Sequence, residues 1–124
     1  MAFRVLIVDD SRSFLEGARV LLEREGVPVV GVASTIAEAL SREAELRPEV
    51  VLVDITLGAE SGFELARRLR ENGRDGSLKV ILVSTYAEAD FADLIAESPA
   101  NGFLPKSELS AEAIRRVLVR RARP

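Results

Sequence analysis

The chain has 124 residues with 48% hydrophobic and 30% charged residues, a balance that excludes disorder and predicts a single domain over residues 1–124. Cysteine and histidine are both absent, which excludes a thiol nucleophile, a zinc site, a histidine base and a phosphohistidine donor. The net charge of −3 argues against nucleic-acid binding. Because no apolar run is of membrane length and no secretory signal is visible, we expect a cytoplasmic protein that does not bind membranes.

The first half of the chain alternates short apolar runs with stretches of helical spacing, which predicts βα units. Residues 5–8 form the first predicted strand, and residues 27–33 form the second. The helix between them ends at Gly26 and carries one apolar stripe: Phe14, Leu15, Ala18, Leu21 and Leu22. Thr35 and Glu38 form a capping-box pattern, which predicts the start of the second helix.

The middle of the chain repeats this alternation. Residues 50–53 are apolar at consecutive positions, as a strand covered on both faces must be. Ser61 and Glu64 form a second capping-box pattern at the start of the third predicted helix. Residues 80–83 form the fourth predicted strand, and Ser84 or Thr85 is placed to cap the fourth helix.

The last third of the chain completes the pattern. Phe91, Leu94 and Ile95 mark the fourth predicted helix, and residues 102–104 form the fifth strand. The fifth helix is expected to begin near Ser110. Five strands alternating with five helices predict an α/β fold with a doubly wound parallel sheet.

Polar residues follow four of the predicted strands, three of them directly. Asp9 and Asp10 follow the first, Asp54 the third and Ser84 the fourth, while Lys106 lies just beyond the fifth. Because ligands bind beyond the carboxyl ends of parallel strands, we expect these groups to converge at one edge of the sheet. Such a set suits a divalent metal and the acceptance of a phosphoryl group. Without histidine or cysteine, the metal ligands must be oxygens, which favours magnesium, calcium or manganese.

In this order and spacing the residues resemble the receiver domain of two-component response regulators. The resemblance covers the whole chain and implies a flavodoxin-like fold with strand order 2-1-3-4-5. The matching residues are Asp9, Asp10, Asp54, Gly62, Ser84, Phe103 and Lys106.

The resemblance implies that Asp54 accepts a phosphoryl group from a histidine kinase or a histidine phosphotransfer protein. Lys106 would contact the phosphoryl oxygens. Mg²⁺, or Mn²⁺ in its place, would be held directly by Asp10 and Asp54, through water by Asp9, and by the carbonyl oxygen of Thr56.

The resemblance also implies a conformational switch and not a turnover enzyme. The hydroxyl of Ser84 would follow the phosphoryl group, and Phe103 would fill the space that Ser84 leaves. The fourth helix, fifth strand and fifth helix would then control an output domain or a target protein. The charges on the fourth and fifth helices leave a homodimer through this surface open, because Asp93 and Glu97 could face Arg115 or Arg116.

The chain departs from the family pattern beside the site, while its reacting groups are intact. The departures are Gly58 and Ser107 in place of proline, Thr85 in place of alanine, Phe103 in place of tyrosine, and a bulky Tyr86. We expect Thr85 and Tyr86 to narrow access to the phosphoryl group. We expect Gly58 to make the loop after Asp54 more flexible. Ser107 removes the usual reason for a cis peptide after Lys106, since that reason is a proline.

Two other functions stay open at this point. A degenerate receiver would act as an interaction module without phosphorylation. A phosphatase of the haloacid dehalogenase type would require a carboxylate at the position of Thr56. The sequence also leaves open whether the chain is a stand-alone receiver or the receiver part of a longer DNA-binding regulator.

Overall fold

The computed structural model describes residues 3–71, 78–86 and 88–122. Its strands are β1 (Val5–Val8), β2 (Val29–Ala33), β3 (Val50–Asp54), β4 (Thr56–Leu57), β5 (Glu60–Ser61), β6 (Lys79–Ser84) and β7 (Gly102–Pro105). Five of them form a parallel sheet in the order β2-β1-β3-β6-β7, while β4 and β5 pair as a small antiparallel hairpin. Counted without the hairpin, the sheet has the predicted order 2-1-3-4-5, so the fold prediction is confirmed.

Five helices connect the strands: α1 (Arg12–Arg24), α2 (Ile36–Leu46), α3 (Gly62–Glu71), α4 (Ala92–Glu97) and α5 (Ala111–Ala122). A 3-10 turn over Glu88–Phe91 precedes α4, and another over Lys106–Glu108 follows β7. Within the described residues, no helix is both long and apolar enough to cross a bilayer.

The sheet is buried on both faces, and this explains its unbroken apolar runs. Along β1, Leu6 and Val8 pack into one core cluster, and Val5 and Ile7 pack into the other. Helices α2, α3 and α4 cover the first cluster, and α1 and α5 cover the second. Side chains that leave the strands at their carboxyl ends therefore emerge in the crevice between these two layers of helices.

Several predicted helix starts are confirmed by their hydrogen bonds. The Thr35 hydroxyl accepts a bond from the backbone N–H of Glu38 at 3.1 Å. The Glu38 carboxylate accepts in turn from the N–H of Ser34 at 2.9 Å, one residue before the expected donor. At α5 the Ser110 hydroxyl accepts from the N–H of Ala113 at 2.9 Å.

Two other predicted caps need correction, the first of them only in part. At α3 the Ser61 hydroxyl accepts from the backbone N–H of Phe63 at 3.1 Å, which confirms Ser61 as the cap. The reciprocal bond of the capping box is not made, because the Glu64 carboxylate pairs with Arg67 at 2.5 Å and Arg68 at 3.2 Å on its own helix. Neither Ser84 nor Thr85 caps α4, because this helix begins only at Ala92 and its N-cap position is Phe91. The Ser84 hydroxyl accepts from the nearby backbone N–H of Tyr86 at 3.0 Å.

Two further predictions need correction. Leu21 was placed on the buried stripe of α1 but is 37% exposed. The stripe that packs on the sheet is narrower and consists of Leu15, Ala18 and Leu22. The second strand begins at Val29 and not at Val27, although Val27 is itself fully buried.

Candidate functional site

Three carboxylates meet at the carboxyl ends of β1 and β3. The two strands are neighbours with Val8 opposite Val53, so Asp9 and Asp54 continue them side by side. One carboxylate oxygen of Asp9, of Asp10 and of Asp54 can be chosen so that all three lie within 4.8 Å of one another. Asp9 and Asp54 are buried, whereas Asp10 is exposed. The cluster is therefore open to solvent on one side.

Lys106 brings a positive charge to these carboxylates from the far edge of the sheet. Its Nζ lies 2.6 Å from Asp9 Oδ2 and 3.2 Å from Asp54 Oδ2, with 13% of the side chain exposed. The Phe14 ring forms a third side of its surroundings, with the ring centroid 4.4 Å from Nζ. The described residues contain no cis peptide bond, so Lys106 reaches both aspartates with a trans peptide before Ser107.

The close packing of these charges shifts their ionisation. Burial raises the pKa of Asp54, the Asp9 carboxylate raises it further, and the Lys106 ammonium and the Thr56 N–H only partly offset these effects. Burial tends to lower the pKa of Lys106, but its pairs with Asp9 and Asp54 outweigh burial and leave that pKa raised. One ammonium thus pairs with two buried carboxylates.

The donor set of this cluster fits Mg²⁺. Hard divalent cations prefer carboxylate and carbonyl oxygens, and here three carboxylates converge, two of them paired with Lys106. Both oxygens of Asp9 already have protein partners, because Oδ1 accepts from the backbone N–H of Ser11 at 2.8 Å and Oδ2 pairs with Lys106. Both oxygens of Asp54 are engaged as well, Oδ1 by the Thr56 N–H at 3.3 Å and Oδ2 by Lys106 at 3.2 Å. The exposed Asp10 carboxylate is therefore the most accessible direct ligand of the three.

The loop after Asp54 depends on two glycines. A Cβ on Gly62 would lie 2.0 Å from the carbonyl oxygen of Asp54, so α3 can begin this close to the acceptor strand only with glycine. Gly58 has a φ of +62°, in the left-handed region, which proline cannot adopt. Between them the β4–β5 hairpin is tied to α2, because the Glu60 carboxylate accepts from the N–H of Ile36 at 2.9 Å.

The remaining predicted site residues are Ser84, Thr56 and Phe103, and each has different partners. Ser84 ends β6 next to the acceptor strand and is 1% exposed. The N–H of Thr56 donates to Asp54 Oδ1 at 3.3 Å. Phe103 is 7% exposed and belongs to the core cluster against which Phe91 and Ile95 pack.

Sequence reasoning assigned Phe14 to the apolar stripe of α1 and missed its contact with Lys106. The residue lies on the first turn of the helix that begins just after Asp10, and that position was the one available signal. The capping of α2 by Glu60 had no sequence signal, because the two partners are 24 positions apart.

The fold and this acidic site define a response regulator receiver domain, and the chain belongs to that family: the family model of the response regulator receiver domain matches residues 5–118. Among curated proteins, the chain is 33% identical to the response regulator GacA of Pseudomonas viridiflava over 115 residues, which are 92% of this chain and 53% of that protein. The chain thus spans about half the length of the curated relatives that it matches first.

Solved structures agree with this assignment. A LuxR-family two-component response regulator from Aurantimonas sp. SI85-9A1 matches with a TM-score of 0.82 and 31% identity, over 98% of this chain and 86% of that chain. The signal receiver domain of NarL from Mycobacterium tuberculosis matches with a TM-score of 0.81 and 29% identity, over 99% and 98%. Domains of this family are generally signalling switches of two-component systems and bind Mg²⁺ in an acidic pocket.

Proposed function

We propose that this single domain is a phosphoacceptor switch in which Asp54 accepts a phosphoryl group from a histidine kinase or a histidine phosphotransfer protein. One observation carries the proposal. The Asp54 carboxylate lies at the open end of the sheet, with the Lys106 ammonium 3.2 Å away and two more carboxylates beside it. This arrangement suits in-line phosphoryl transfer, which requires positioning and charge neutralisation more than proton transfer.

The transfer is a displacement at phosphorus. A carboxylate oxygen of Asp54 forms the new O–P bond as the P–N bond of the donor phosphohistidine breaks. The electron pair of that bond remains on the imidazole nitrogen, which takes up a proton from solvent. Lys106 then donates to the phosphoryl oxygens as a point charge. Attack by water on phosphorus restores the Asp54 carboxylate and releases inorganic phosphate.

Mg²⁺ would be held by Asp10 and Asp54 directly, by Asp9 through water and by the Thr56 carbonyl oxygen. Mn²⁺ would suit the same oxygen ligands. The bound cation would neutralise carboxylate and phosphoryl oxygens together. Asp9 forms the shorter of the two ion pairs with Lys106, 2.6 Å against 3.2 Å for Asp54, which supports the placement of Asp9 behind a water molecule.

Ser84 is the proposed link between the acceptor and the rest of the domain. Its oxygen accepts from the Tyr86 N–H, which leaves the hydroxyl hydrogen free to donate to a phosphoryl oxygen. A shift of Ser84 towards Asp54 would carry the Tyr86 backbone with it and repack the core beside Phe103. Phe103 is already buried, so the displacement left for its ring is small.

The surface that would respond is formed by α4, β7 and α5. It carries exposed apolar side chains, with Leu94 51% and Val119 61% exposed. We propose that an output domain, a target protein or a second copy of this chain binds there. We also propose that the domain works in the cytoplasm and itself binds neither nucleic acid nor membranes.

The deciding experiment is intact mass spectrometry after incubation with acetyl phosphate. We expect a single phosphoryl adduct that requires Mg²⁺, persists in an Asp93→Asn control on exposed α4 and is lost in Asp54→Asn. If metal binds without an adduct, beryllium fluoride provides a second test of the acceptor. Failure to bind metal and to form an adduct would refute the proposal in favour of a phosphorylation-independent interaction module.

A further inference from the structure

The Lys106 ammonium touches an aromatic ring as well as two carboxylates. The centroid of the Phe14 ring lies 4.4 Å from Nζ, within the roughly 6 Å over which a cation is attracted to a ring face. Phe14 lies on the first turn of α1, where its N–H donates to the capping Ser11 hydroxyl at 3.3 Å. The segment that presents Asp9 and Asp10 thus also presents the ring.

The ring contact acts on Lys106 differently from the two ion pairs. The carboxylates of Asp9 and Asp54 attract the ammonium into the acidic cluster, and this attraction changes when charge enters the site. The ring of Phe14 has no charge to gain or lose. With 13% of the lysine side chain exposed, water competes weakly for the ammonium, which strengthens its attraction to the ring.

A flexible lysine stem makes such a contact consequential. Four rotatable bonds separate the Lys106 ammonium from its backbone, and the stem must bridge from the end of β7 to Asp54 at the end of β3. A ring face beside the ammonium restricts these rotations. The ammonium is then already oriented when a phosphoryl group arrives.

We infer that Phe14 is a positioning residue for phosphoryl transfer, with its ring holding the Lys106 ammonium where it meets the phosphoryl group on Asp54. The inference rests on the proposed function of Asp54. It gives Phe14 a role beyond packing against the core under α1.

The contact itself can be tested without any phosphorylation. The chain has only two lysines, Lys79 and Lys106. An NMR spectrum of the protein with its lysines labelled at Cε therefore shows two signals. The ring current of Phe14 should shift the Lys106 signal upfield. We expect Phe14→Leu to remove that shift and Phe14→Tyr to retain it.

A matched control is available elsewhere in the chain. The guanidinium of Arg115 lies 5.7 Å from the ring centroid of Phe3, so Phe3→Leu removes a ring–cation contact away from the site. It should leave the Lys106 signal in place. An unchanged Lys106 signal in folded Phe14→Leu would overturn the inference.

The functional arm is a double-mutant cycle on the rate of phosphorylation by acetyl phosphate at saturating Mg²⁺. Phe14→Leu should slow the reaction about tenfold, which corresponds to about 1.4 kcal/mol, and Phe14→Tyr should restore most of the rate. In a Lys106→Ala background, Phe14→Leu should have no further effect. An equal loss in both backgrounds would overturn the inference, since Phe14 would then act without Lys106. If the parent forms no adduct with any donor, the proposed function itself fails, and the lysine spectrum still decides the ring contact.

Discussion

Replacing Gly62 with alanine tests the close approach between α3 and the acceptor strand. An ideal Cβ at this position would lie 2.0 Å from the carbonyl oxygen of Asp54, 2.8 Å from its carbonyl carbon and 2.9 Å from the Cα of Ile55. All three atoms belong to the backbone, so no side-chain rotation can relieve the clash. The start of α3 would have to move away from β3.

The size of the effect follows from three contributions. Overpacking at a buried position costs about 1–3 kcal/mol. Movement of α3 would also weaken the hydrogen bond from the Gly62 N–H to the Ile55 carbonyl, which is 2.7 Å long and contributes about 0.5–1.5 kcal/mol. The higher helix propensity of alanine returns about 0.5–1 kcal/mol. The net expectation for Gly62→Ala is a loss of about 2 kcal/mol in the free energy of unfolding, within a range of about 0.5–4 kcal/mol.

Urea unfolding followed by far-UV circular dichroism measures this quantity. Gly17→Ala is the matched control, because Gly17 is exposed in the middle of α1 and an added Cβ meets nothing within 4 Å. That variant should gain about 0.5–1 kcal/mol. If Gly62→Ala is as stable as Gly17→Ala, the tight contact between α3 and the Asp54 backbone is refuted.

Two further predictions concern charge and the switch. Because burial and Asp9 raise the folded-state pKa of Asp54 above 3.8, its ionised form destabilises the metal-free domain at neutral pH. We expect Asp54→Asn to melt at a higher temperature than the parent at pH 7 without Mg²⁺. As pH falls towards 3.8, the Asp54 carboxylate becomes protonated in the folded parent before it does so in the unfolded chain. The difference between the two melting temperatures should therefore shrink. A difference that stays constant with pH would contradict the raised pKa of Asp54. Tyr86 is the only tyrosine, and the chain has no tryptophan, so tyrosine fluorescence reports on the segment after β6. Beryllium fluoride with Mg²⁺ should change this emission in the parent but not in Ser84→Ala, and an unchanged parent would argue against the proposed link through Ser84.

The convergence of Asp9, Asp54 and Lys106 could be predicted from sequence because each lies at the end of a recognisable apolar run. In a parallel sheet these ends fall on one edge whatever the details of packing. The strand order came from the resemblance to the receiver family, and the register of Val8 with Val53 brings the two aspartates side by side.

The partners and the burial of individual side chains could not be predicted in the same way. Glu64 satisfied a capping pattern with Ser61, but two arginines on its own helix compete for its carboxylate. Glu60 matched no pattern, and it caps α2 only because the hairpin after Asp54 packs beside that helix. Leu21 had the right spacing for burial but lies at the margin of the helix face that meets the sheet.

The sequence by itself determined the fold class, the edge at which the site lies and the residue types gathered there. These follow from local periodicity and from the geometry common to parallel sheets. Only the tertiary structure decided that the ammonium of Lys106 lies between two aspartates and the ring of Phe14. It also decided that α3 approaches the Asp54 backbone too closely for any side chain at Gly62. Both depend on distances in three dimensions between separate elements of the fold, which helix and strand periodicity do not encode.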